Sequence, residues 1–186
     1  RALRAHGWTR DFRNPPAALK PGMDQHFEAY RFVLPGYNVR PTEMAGAVGT
    51  VQLAKLDKMI ELRRRNLKTF QDLFGGDSRF RIQRENGTNS SFCFPVVLVP
   101  ALKPDRTMLF EAFRENEIDF RIITGGCFTK HPVISYFDYD IVGDLRHAET
   151  AHDFGLFLGN FPVDLTEELT LAHDVLDRAL RRANSL

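Results

Sequence analysis

Cysteine is scarce in this 186-residue sequence, tryptophan occurs once, and the charges almost cancel. Each shortage excludes something. Two cysteines, Cys93 and Cys127, cannot build a disulfide framework and fit a reduced, cytoplasmic setting. A formal net charge of +1, from 25 basic and 24 acidic residues, gives no global field to attract nucleic acid or an anionic membrane. The arginine clusters Arg63-Arg64-Arg65 and Arg178 with Arg181-Arg182 sit beside acidic residues and read as solvated helix faces. No apolar run reaches transmembrane length and no signal peptide is read. No metal site is expected, because His147 and His152 do not share a helix face and lack a third ligand. Gly125-Gly126 lacks the spacing of a phosphate loop. Cys127 and His131 lack a third orienting group, and Lys130 lacks a desolvated setting, so neither nucleophilic nor Schiff-base catalysis is expected of them.

What is present is ordinary for a globular chain: 43% apolar and 26% charged residues, enough for one domain with a core or a small domain plus an extension. The sequence opens without methionine, at Arg1-Ala2-Leu3-Arg4, which reads as the end of a helix whose beginning is missing; a fragment is expected. Pro15, Pro16, Pro21, Pro35 and Pro41 predict irregular structure over the first forty residues. Thr42 then suits an N-cap, and apolar residues from Met44 to Phe74 follow a helical period. A continuous helix here would be roughly 45–50 Å long. Its start carries Ala45, Gly46, Ala47 and Gly49, which predict close packing against a large partner.

Beyond Gly75-Gly76 the pattern changes. Strands are expected over 79–84 and 92–99, joined as a hairpin, with Pro95 marking an edge or a bulge. Asp105 caps a helix carrying Leu109, Phe110 and Phe113. A third strand is read over 119–124, short helices near 133–137 and 148–153, a strand over 155–159, and a last helix over about 166–182. This predicts an α+β fold: a small, mostly antiparallel sheet covered by helices.

Two stretches carry candidate chemistry. Asn38 and Arg40 stand just before a helix start, where backbone amides favour an anion, and both side chains can donate to phosphate. A helix cap with a surface arginine is the other reading. Gly125-Gly126, followed by Cys127, Phe128, Thr129, Lys130 and His131, is either a tight turn or a place where backbone approaches a ligand.

The run Gly36-Tyr37-Asn38-Val39-Arg40-Pro41-Thr42-Glu43-Met44-Ala45-Gly46-Ala47-Val48-Gly49, with Gln52-Leu53-Ala54-Lys55-Leu56, resembles the DegT/StrS family of sugar aminotransferases and dehydratases. Arg4-Ala5-His6-Gly7-Trp8-Thr9-Arg10 is similar to the family segment that follows the cofactor-binding residues. Thr124-Gly125-Gly126-Cys127-Phe128, Tyr136-Phe137-Asp138-Tyr139 and Gly155-Leu156-Phe157-Leu158-Gly159-Asn160 look most like the branch of 3-dehydratases acting on nucleotide-linked 4-keto-6-deoxy sugars, as in colitose formation for lipopolysaccharide O-antigen.

The resemblance implies a fold type I aminotransferase architecture, a homodimer with shared active sites, pyridoxal 5'-phosphate (PLP) as cofactor, and a nucleotide sugar and glutamate as substrates. It implies that Asn38 reaches the cofactor phosphate in the neighbouring subunit, that Tyr37 and Arg40 face the nucleotide sugar, and that Arg121 is a substrate contact. It divides the chain into 1–41 as a remnant of the large PLP domain, 42–74 as a long inter-domain helix and 75–186 as the C-terminal α+β domain. In the dehydratase branch a histidine replaces the Schiff-base lysine, glutamate supplies the amino group and the sugar loses its 3-hydroxyl; in the aminotransferases the lysine remains and the sugar gains an amine. That deciding position lies upstream of Arg1, so the chain alone is expected to be inactive. A sugar aminotransferase and a non-catalytic dimerisation or folding module remain as alternatives.

Overall fold

Alternation along 93–98 fixes the centre of the fold. In a computed structural model describing residues 2–4, 6–9, 25–39, 42–102 and 105–183, strand β2 (Cys93–Leu98) buries Phe94, Val96 and Leu98 and leaves the intervening residues half-buried. That is the period of two that a pleated strand imposes. β2 pairs with β1 (Phe80–Ile82) on one side and β4 (Gly155–Gly159) on the other, and β3 (Arg121–Ile122) flanks β4. The order is β1-β2-β4-β3 and every pair is antiparallel. Pro95 therefore lies in an interior strand. The last β1 pair is Ile82 with Val96, however, so at Pro95 the strand is paired only to β4. A proline is tolerated there because one side of the ladder is already open.

Helices supply the other half of the core. α3 (Leu56–Phe74) contributes Phe70 and Phe74, α4 (Arg106–Glu115) contributes Leu109, Phe110 and Phe113, and α6 (Thr166–Ala183) contributes Leu169, Val175, Leu176 and Leu180. Phe70 stacks on Phe94 at 5.0 Å between ring centroids, which joins helix layer to sheet. Asp105 caps α4 as its sequence predicts, accepting from the amides of Thr107 and Met108 at 2.9 and 3.3 Å. The architecture is the expected α+β layer, a small antiparallel sheet covered by helices.

The expected continuous helix from Thr42 is divided. α2 (Glu43–Leu53) ends at a turn through Ala54 and Lys55 before α3 begins. Thr42 does cap it, accepting from the Ala45 amide at 3.3 Å. No proline or glycine marks the break. The physical difference lies in what holds each half: α3 presses one face on the core, whereas no residue of α2 is buried. Helical propensity alone holds weakly without tertiary packing.

α3 is locked at its other side by two buried amides. Asn66 Nδ2 donates to the Val163 carbonyl at 2.7 Å and to Asn160 Oδ1 at 3.1 Å. Asn160 Nδ2 donates to the carbonyls of Arg63 at 3.0 Å and Ser91 at 2.8 Å. Asn160, which closes the branch-like motif 155–160, is thus satisfied inside the fold. Short α1 (Gln25–Glu28) and the chain after it place Phe27 and Tyr30 against the edge of the same core.

Candidate functional site

The site is assembled where three sequence stretches meet. The first is 6–9, the second 32–37. The Val33 and Leu34 amides both donate to the Gly7 carbonyl, at 2.9 and 3.2 Å, and the His6 amide donates to the Tyr37 carbonyl at 3.2 Å. Trp8 forms an antiparallel bridge with Phe32 and stacks on it at 5.9 Å. Two glycines make this approach possible. Gly7 has φ +84°, and a Cβ on it would fall 1.7 Å from the Leu34 carbonyl oxygen; a Cβ on Gly36 would fall 2.2 Å from the Gly7 amide nitrogen. Gly36 is therefore a packing requirement between the two family-like segments, not a free hinge.

The third stretch is 125–137, which carries one-turn 3-10 helices at Phe128–Lys130 and Pro132–Tyr136. The Val133 amide donates to the Phe32 carbonyl at 3.2 Å, closing the contact. Between the stretches lies a cavity of about 340 Å³. Phe32, Tyr37, Phe128 and Phe137 line it with His6 and Gly36. An aromatic cleft of this kind with few polar groups is the ordinary form of a small-molecule site.

Of the expected site residues, Tyr37 lies on this cavity and is 70% exposed. Asn38 is exposed on the run into α2, and Arg121 is exposed at the sheet edge on β3, away from the cavity wall. Arg40 lies outside the described residues. Phe32 and Leu34 were not legible as site residues; only the proline-rich setting hinted that this stretch does more than connect.

The Gly125–His131 segment is both a tight turn and a wall of the cleft. His131 is buried, with Nε2 2.8 Å from the Gly125 carbonyl and Nδ1 3.4 Å from the Phe32 amide. Burial pushes its imidazole below the ordinary value of 6.5. Burial does the same to His152, whose Nδ1 accepts from the Cys127 amide at 3.3 Å. The Cys127 thiol contacts Thr129 Oγ1 at 3.2 Å, while both His131 nitrogens face the Gly125 carbonyl and the Phe32 amide. Lys130 is bound to Asp153 through both carboxylate oxygens, at 2.9 and 3.0 Å. Among the described residues no cluster of three His, Cys, Asp or Glu side chains could hold a metal, and no helix is long and apolar enough to cross a membrane.

Comparison with known proteins gives this geometry a context. The model of the DegT/DnrJ/EryC1/StrS aminotransferase family matches residues 2–173. The chain is 40% identical over 179 residues to the GDP-4-keto-6-deoxy-D-mannose 3-dehydratase of Yersinia pseudotuberculosis, covering 95% of this chain and 45% of the relative. The solved Escherichia coli enzyme of that name, with bound hydrated PLP, superposes with a TM-score of 0.70 at 38% identity, over 94% of this chain and 46% of that one. A GDP-4-keto-6-deoxymannose-3-dehydratase holding a trapped PLP-glutamate geminal diamine gives a TM-score of 0.69 at 38% identity, with the same two coverages. The chain thus spans about half the length of the curated relatives it matches. With the match running through all three stretches that build the cleft, the chain belongs to the DegT/DnrJ/EryC1/StrS aminotransferase family.

Proposed function

We propose that this chain is the C-terminal part of a PLP-dependent enzyme that removes the 3-hydroxyl of a nucleotide-linked 4-keto-6-deoxy sugar, with glutamate as amino donor. One observation carries the reading: the segments that converge on the aromatic cleft belong to a chain 40% identical, over 95% of its length, to a 3-dehydratase of that class. The division into 1–41, 42–74 and 75–186 is proposed with it, as is a cytoplasmic setting, which the two free cysteines support.

The residues present fit one edge of PLP. Its phosphate needs donors, and Asn38 stands exposed just ahead of α2, whose first-turn amides favour an anion. Among the described residues no lysine lines the cleft, and Lys130 is tied to Asp153. When bound, PLP supplies the electron sink for carbon–oxygen cleavage.

The chain's own residues bind and orient. Asn38 donates its amide to the phosphate of a cofactor held in a neighbouring subunit. Tyr37 presents its hydroxyl and ring at the cleft, Arg40 offers paired donors to a pyrophosphate, and Arg121 is a second substrate contact. The Phe32 and Phe128 rings exclude water from that wall. A homodimer is part of the reading. α2 carries Met44, Val48, Val51 and Leu53 exposed, and a second copy would cover them.

The test uses the protein in full length with PLP, glutamate and GDP-4-keto-6-deoxymannose. The expected product lacks one hydroxyl and has gained no nitrogen by mass spectrometry. A product carrying a new amine would replace the dehydratase reading with a sugar aminotransferase. Failure of the full-length protein to retain PLP, or its aminated form after glutamate, through gel filtration would overturn both.

A further inference from the structure

The turn that walls the cleft is held by two imidazoles whose protonation states are fixed by their partners. The Gly125 carbonyl can only accept, so His131 Nε2 carries the hydrogen; the Phe32 amide can only donate, so Nδ1 is bare. That is the neutral ring in one tautomer. His152 Nδ1 accepts from the Cys127 amide and is bare as well. Gly126 is pressed on the His152 ring: its φ is +45°, and a Cβ there would fall 2.4 Å from Nδ1. Phe27 packs on both histidines, at 5.0 Å from His131 and 5.3 Å from His152. The turn is therefore gripped from α5 (Arg146–Phe154) by His152 and tied by His131 to Phe32, a residue of the opposite cleft wall.

The surroundings oppose a proton on either ring. Arg31, itself paired with Glu28, faces His131. Lys130 and Arg106 face His152, and the two histidines face each other at 6.2 Å. Asp153 is the one carboxylate that favours a charged His152, and it is engaged by Lys130. A proton on His131 Nδ1 would point a donor at the Phe32 amide, and one on His152 Nδ1 would point a donor at the Cys127 amide. Each bond would be replaced by a repulsion.

We propose that His131 and His152 are positioning residues of the cleft: as neutral imidazoles they lock the Gly125–Gly126 turn to Phe32 and α5, and on protonation they release it. The consequence for ligand rests on the function proposed above; the lock itself does not. Both cleft walls are aligned above the imidazole range. Below it the wall bearing Phe128 loosens, and nucleotide-sugar binding weakens while the groups that carry out the reaction are untouched.

Hydrogen–deuterium exchange on the full-length protein tests the lock without activity. Peptides spanning 27–34 and 124–131 are followed at about pH 7.5 and about pH 5.5, either side of the ordinary imidazole value, with intrinsic exchange rates corrected. Both peptides are expected to lose on the order of tenfold protection at the lower pH, while a peptide over β4 does not. His152→Asn keeps an acceptor near Nδ1 and cannot titrate, so 124–131 should stay protected in acid. His131→Gln keeps a donor toward Gly125 and loses the acceptor, so 27–34 should exchange fast at both pH values. Equal protection of the two peptides at both pH values in the unsubstituted protein would overturn the proposal, even if a variant failed to fold. GDP serves as the binding probe: its Kd is expected to rise several-fold from the higher pH to the lower, and less in His152→Asn. A pH-independent GDP Kd beside a clear exchange response would overturn the link to binding. GDP failing to bind at either pH beside that response would support the lock and count against the proposed function alone.

Discussion

At the residue scale, the buried polar groups decide most. Asn160 satisfies two carbonyls from separate segments and meets Asn66 on α3. Asn160→Ala strands those carbonyls, and we expect about 2–4 kcal/mol of lost stability in urea unfolding. Titration gives a second prediction. His131 and His152 have folded values below their ordinary 6.5 because burial disfavours the charged form. Their contribution is complete above the unfolded value and is lost progressively as pH falls from there through the lower folded values. Asp77 is held below its ordinary 3.8 chiefly by the hydrogen bond from Arg79, so its contribution is lost further down. Stability measured against pH should therefore fall in two stages, one beginning near 6.5 and a later one in the carboxylate range. A flat profile from about pH 7 to pH 5 would rule out the first stage.

At the element scale, α3, α4, α6 and the strands were legible because their apolar residues repeat at the right period and their caps are local. Asp105 and Thr42 both cap as read. The division at Ala54–Lys55 was not legible. It reflects where burial starts, and burial depends on residues far along the chain. The cleft was half legible for the same reason. The 125–131 cluster stood out by composition and Tyr37 by the family resemblance, but Phe32 joins them only through a contact a hundred residues distant. α2 remains an apolar helix with no buried residue among those described. If the proposed homodimer forms through α2, Val51→Glu on its open face should shift the full-length protein toward monomer, with the dimer Kd rising more than about tenfold by sedimentation. An unchanged sedimentation profile would remove α2 from the interface.

At the scale of the whole molecule, the segment bearing Trp8 is an outpost tied to the core through Gly7, Phe32 and Val133. Phe27 extends that tie to the core edge. In the 186-residue chain, whose single tryptophan is Trp8, the fluorescence transition in urea should coincide with that of far-ultraviolet circular dichroism. An earlier fluorescence transition would show the outpost detaching first. What the sequence could not display was this joining, because a glycine's value to a neighbouring backbone is visible only once the neighbour is known.

The strand order has a consequence for synthesis. Of the four strands of this sheet β4 is the last made, yet it is the one that sits between β2 and β3. On the ribosome, β2 has only the three-residue β1 to pair with and β3 has nothing until Gly155–Gly159 emerges. Between the emergence of β2 and that of β4 a nascent chain therefore carries an open, apolar strand edge, and a stop before residue 155 would release it in that state. The middle of this sheet is completed by its end, and the chain's exposure to chaperones is set by how quickly that end arrives.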